Sequence, residues 1–132
     1  MPPNIHTPSE IKENEEIAVA LVEEQLIAYN NRDIEGFLKP FSENIKGYNY
    51  PDQLFFEGKE KMRAIYSRLF DRCPNLHCET ISRTVFNDTV IDKEKVTGMI
   101  PNENEFPYFL AIYKIASKEI TEIRFLSYVS NQ

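Results

Sequence analysis

Gln25 is the residue whose surroundings suit it least. It stands in a stripe of Ile17, Ala18, Leu21, Val22, Ala28 and Tyr29 at helical spacing. An amide on such a stripe either binds a carbonyl or hydroxyl in a pocket or lies at a helix edge. Tyr29, Tyr50 and Tyr66 can donate to a ligand oxygen, or can be core aromatics whose hydroxyls have protein partners. Asp52 follows Pro51, which suits a solvated turn acid or a base turned into a pocket with a raised pKa. His77 is the histidine beyond the N-terminal arm and is the default acid/base. Its alternation with Glu79, Ile81 and Arg83 also fits a surface or strand-end position. Asp92 lies between Val90 and Val96 in alternation, so it is an inward acid or the cross-strand partner of Arg83. The pair is the preferred reading.

Other chemistries find no residues. Cys73, His77 and Cys78 lack a fourth ligand, so no metal is expected. Cys73 instead ends a helix stripe and Cys78 sits in a strand. No nucleophile elbow is present and no Ser-His-Asp set can be assembled. The 4 glycines form no GxG pair, which excludes a Gly-rich phosphate loop.

The positioning elements follow from local signals. Thr7-Pro8-Ser9-Glu10 fits a capping box and opens a helix toward Asn30. Asp33 caps a second helix through Phe41, limited by Pro40, with Ile34, Phe37, Leu38 and Phe41 buried. Residues 45–50 and 53–57 read as short extended pieces around a Pro51-Asp52 turn. Gly58 precedes a helix whose stripe is Met62, Ile65, Tyr66, Leu69, Phe70 and Cys73, and Pro74 stops it. Strands are expected over 76–86, 89–97, 108–116 and 120–129, with a polar loop over 99–106. The layout is α+β, a curved, mostly antiparallel sheet wrapped around three N-terminal helices with an apolar cavity inside.

Composition bounds the partners. At 132 residues the chain can bury a core without disulfide or metal staples. Acids outnumber bases 21 to 15, and no Lys/Arg cluster offers a nucleic-acid groove. No apolar run approaches the roughly 20 residues of a membrane span. The first six residues carry neither a basic region nor an apolar run, so the cytoplasm and reduced thiols are the expectation.

Both faces of the last strands are apolar. Phe109, Ala111, Tyr113 and Ile115 oppose Tyr108, Leu110, Ile112 and Lys114. Ile123 and Phe125 oppose Glu122, Arg124, Leu126 and Tyr128. One face covers the core, and the outer face is expected to meet a second copy as a homodimer.

Several segments in order resemble the SnoaL-like proteins of the nuclear-transport-factor-2-like superfamily. Residues 28–38 (AYNNRDIEGFL) are similar to that family's join between its first two helices. Residues 48–52 and 56–60 resemble its strand pair and helix entry, and 90–98 (VIDKEKVTG) a later strand. Residues 111–115 with 118–125 resemble its closing hairpin. The resemblance covers roughly 15–128. It implies a cone-shaped α+β barrel with a pocket at its open end, often dimeric. In the ketosteroid isomerases of the superfamily a helix tyrosine, an aspartate before a proline and a later acid do the chemistry. Here those positions hold Gln25, Tyr50 (or Asn49) and Ala111 (or Ile112), so the triad is not matched. Tyr29 resembles a pocket-lining position and Tyr66 a supporting tyrosine.

The expectation is an arm and helix start over 1–14 and a single domain over 15–130. Gln25, Tyr29, Tyr50, Tyr66, Ala111, Ile123 and Phe125 are expected to line the pocket, with Asp52 or His77 moving a proton. The reading is a small-molecule pocket protein, as a cofactor-independent proton-transfer enzyme of isomerase, cyclase or dehydratase type on a hydrophobic carbonyl compound. A non-catalytic binding protein and a dimeric interaction module stand as alternatives.

Overall fold

The computed structural model describes residues 6–100 and 107–127. Helix α1 (Pro8–Asn30) begins with the expected capping box, Thr7 accepting from the Glu10 amide while Glu10 accepts from the Thr7 amide. It buries Ala18, Val22, Gln25 and Ala28 along one stripe. Helix α2 (Ile34–Leu38) is capped by Asp33, which accepts from Gly36 N–H at 3.1 Å. Strand β1 (Phe41–Asn49) and β2 (Gln53–Glu57) follow, then α3 (Lys59–Arg72). The chain closes with β3 (His77–Phe86), β4 (Thr89–Thr97), β5 (Tyr108–Ala116) and β6 (Glu119–Ser127).

The second helix is shorter than its apolar pattern predicts. Phe41 opens β1 instead of ending α2, because the Pro40 carbonyl accepts the Ile120 amide at 2.9 Å and so joins the chain to β6. Residues 1–5 of the expected six-residue arm, most of the loop over 99–106, and Tyr128 and Val129 lie outside the described residues.

All strands form one sheet in the order β2-β1-β6-β5-β4-β3. Neighbours run antiparallel except β1 and β6, which are parallel. Bulges at Gly47/Tyr48, Thr80/Ser82 and Lys114/Ile115 bend it around the helices. Between sheet and helices lies an aromatic cluster. Phe37 stands 4.7 Å from Tyr66, 5.3 Å from Phe41 and 5.8 Å from Tyr29, centroid to centroid.

The join that carried the family resemblance is a clamp. The Asn30 side chain donates to the Cys78 carbonyl at 3.0 Å and accepts the Cys78 amide at 2.8 Å. It serves the start of β3 as a neighbouring strand would. Arg32, at φ 53°, donates to the Leu76 carbonyl at 2.8 Å. The end of α1 is thereby tied to the strand that carries Cys78.

Candidate functional site

Strand alternation decides which side chains enter the interior. On β4 the inward positions are Val90, Asp92, Glu94 and Val96, all buried. On β5 they include Ala111 and Tyr113, and on β6 Ile123. With Gln25 and Tyr29 of α1, Phe37 of α2, Tyr66 of α3 and Cys78 of β3, these strands enclose a cavity. Leu26, Phe109 and Phe125 complete its largely apolar wall. It leaves about 50 Å³ for the centres of water-sized molecules.

Its polar groups form a directed chain. Gln25 Nε2 donates to its own helix at Val22 O (3.0 Å) and to Tyr113 Oη (3.2 Å). Tyr113 Oη, having accepted, donates to Glu94 Oε2 at 3.3 Å. The Cys78 thiol also hydrogen bonds to Glu94. Burial pushes the Glu94 carboxyl up to about 7, and the Asp92 charge adds to the rise. Hydrogen bonds from Cys78 and Tyr113 and the charge of Arg83 oppose it. Burial likewise pushes the Tyr29, Tyr66 and Tyr113 phenols and the Cys78 thiol upward, so all four stay protonated donors. The Tyr29 and Tyr66 hydroxyls have no hydrogen-bond partner among the described residues. The cavity therefore offers two unspent phenol donors and one carboxyl poised near neutrality.

Behind Glu94 lies Asp92, with none of its surface exposed. Arg83 meets it twice, Nε to Oδ1 at 2.7 Å and Nη2 to Oδ2 at 2.9 Å. Arg83 Nη1 continues to Glu23 Oε2 at 2.7 Å on α1. The hairpin pair read from the sequence is thus formed.

The residues singled out in the sequence divide in two. Gln25, Tyr29, Tyr66, Ile123 and Phe125 stand in the cavity wall. Ala111 is buried on β5 between Asp92 and Phe125, behind the wall rather than in it. Tyr50, Asp52 and His77 are elsewhere. The Tyr50-Pro51 turn carries Tyr50 out to half exposure, and Asp52 meets Arg124 at 3.4 Å on the outer side of the sheet. His77 precedes inward Cys78 and so faces out. The acid that does enter, Glu94, carried a signal in the sequence. It shares the alternation of Val90, Asp92 and Val96, two charges on a parity otherwise apolar. Tyr113 lay on the inward face of the third meander strand and carried none.

Among the described residues no group of three or more His, Cys, Asp or Glu side chains is arranged to hold a metal ion. No described helix is long and apolar enough to cross a membrane.

The sequence matches a family model described as a SnoaL-like domain over residues 22–123. No curated protein matches it. Among solved structures, a cystatin-fold protein from Novosphingobium aromaticivorans superposes with a TM-score of 0.76 at 21% identity, covering 83% of this chain and 97% of that one. An epoxide hydrolase of M. tuberculosis, described as LEH-like, gives 0.72 at 14% identity over 85% and 83%. A protein from Kribbella flavida, provisionally assigned as a ketosteroid isomerase, gives 0.72 at 8% identity over 90% and 83%. At these identities the likeness is one of fold.

Proposed function

The chain belongs to the SnoaL-like domain family, and from that membership we propose that it is a cofactor-independent proton-transfer enzyme acting on a small hydrophobic carbonyl compound. One observation carries the reading: a carboxyl 4% exposed, pushed up to about 7, faces an apolar cavity that also presents free phenol donors. A base with a pKa near the working pH is both ionised often enough and strong enough to move a proton. Glu94 takes a proton from the carbon beside the ligand carbonyl. The hydroxyls of Tyr29 and Tyr66 donate to the oxygen as it becomes an oxyanion. Where the ligand has a carbon–carbon double bond β,γ to that carbonyl, the enolate is a conjugated dienolate and Glu94 returns the proton at its γ-carbon, which shifts the double bond and makes the net change an isomerisation. Tyr113 and Gln25 hold the carboxylate in place. Tyr50, Asp52 and His77 have no part in this scheme, since they stand outside the cavity. The name given provisionally to the Kribbella flavida protein, a ketosteroid isomerase, supports chemistry of this kind in the fold.

The test is exchange of carbon-bound hydrogen for deuterium in a panel of small cyclic ketones and enones, followed by NMR. Exchange should exceed that of Glu94→Gln by roughly 10²–10⁴-fold. Equal exchange by both proteins overturns the reading. The narrow cavity favours one alternative, a protein that holds its ligand without turnover. In that case ligands raise the melting temperature of both proteins and neither exchanges.

The proposal extends to assembly and compartment. The outer face presents Ile91, Leu110 and Ile112 half-buried and Leu126 exposed, which suits pairing with a second copy. A cytoplasmic setting would keep the free thiols of Cys73 and Cys78 reduced.

A further inference from the structure

Asp92 and Glu94 are consecutive inward positions of β4, about 6.6 Å apart along the strand at roughly 3.3 Å per residue. They are 0% and 4% exposed. Two carboxyls so placed oppose each other's ionisation. Arg83 hydrogen bonds to only one of them: its Nε and Nη2 bind Asp92 and its Nη1 binds Glu23, so it reaches Glu94 by its charge and not by a described hydrogen bond. The described cavity wall carries no lysine or arginine.

The groups around Glu94 come from every element packed on it. They are Cys78 and Arg83 from β3, Asp92 from β4, Tyr113 from β5, Tyr29 and the more distant Glu23 from α1, and Tyr66 from α3. Arg83 is the one cation among these described groups. Its reach to Glu23, 45% exposed, anchors the pair at the helix surface.

We propose that Asp92 and Arg83 are positioning residues for the cavity acid, a hydrogen-bonded acid–base pair set behind Glu94 whose two members together set how readily it gives up its proton. This rests on reading Glu94 as the acid/base of the site. The pair touches no ligand and acts only through Glu94. Its two members act with opposite sign: Asp92 makes Glu94 hold its proton, and Arg83 makes Glu94 release it.

The test is a titration of the Glu94 carboxyl carbon by ¹³C NMR in the full chain labelled at glutamate, with Glu94→Gln assigning the signal. In Asp92→Asn the midpoint should fall by about one pH unit, a tenfold loss of proton affinity. In Arg83→Gln it should rise by a comparable factor, and Arg83→Lys, which keeps the charge, should stay near wild type. A purely structural role would lower the stability of all three without opposing shifts. Should Arg83→Gln fail to fold, the Asp92→Asn and Arg83→Lys comparison decides alone. A midpoint unmoved in Asp92→Asn, or moved the same way in both neutralised variants, overturns the inference. Opposing shifts in a protein that exchanges no ligand hydrogen uphold it while overturning the enzyme reading. Exchange without such shifts does the reverse.

Discussion

Glu94 folds into a place that disfavours its charge, and that has a consequence for stability. Its pKa rises from 4.5 to about 7 on folding, so the folded state binds the extra proton between those values. Its contribution is complete below pH 4.5 and is lost as pH rises through about 7. Relative to Glu94→Gln, the wild type should lose about 3 kcal/mol between pH 4 and pH 8, measured by urea unfolding. The tyrosines separate by their partners. Tyr113→Phe strips Gln25 and Glu94 of a buried hydrogen bond and should cost about 1–3 kcal/mol. Tyr66→Phe removes a hydroxyl without a partner among the described residues and should stay within about 0.5 kcal/mol while lowering exchange activity. At this scale the sequence was half legible. Gln25 announced itself by breaking an apolar stripe. Asp52 and His77 stand outside the cavity, because residue type names a chemistry while the turn at Tyr50-Pro51 and the parity of β3 decide where the side chain goes. A charged residue between apolar neighbours of its own parity marked Asp92; the same parity holds Glu94, which the reading of the sequence passed over.

The elements were read more fully, because capping and periodicity are local. The Thr7 capping box, the α3 stripe ending before Pro74, and the spans of β4 and β5 follow from spacing alone. Phe41 did not, since its strand pairing depends on β6, about eighty residues further along. The Asn30 clamp was likewise invisible, although its segment stood out by resemblance. Asn30→Ala should cost about 1–3 kcal/mol, as two partly buried groups of Cys78 lose their partner. Asn30→Asp keeps the acceptor for the Cys78 amide and should cost less. Comparing the denaturation midpoints of the two checks this.

The whole molecule is a bent sheet closed on one face by three helices, with the cavity between them. Its outer face gives a prediction of its own. Light scattering should find twice 15.5 kDa, and Ile112→Glu should return the mass to that of one chain with the cavity intact. A wild-type monomer would contradict the assembly and leave the site untouched. Everything proposed for the site depends on one property, a carboxyl inside that cavity poised to exchange its proton near neutral pH. The most direct measurement is the ¹³C NMR titration of Glu94 in the wild-type protein. The account predicts a midpoint of about 7. A midpoint near 4.5, the value of an unperturbed glutamate, would contradict it.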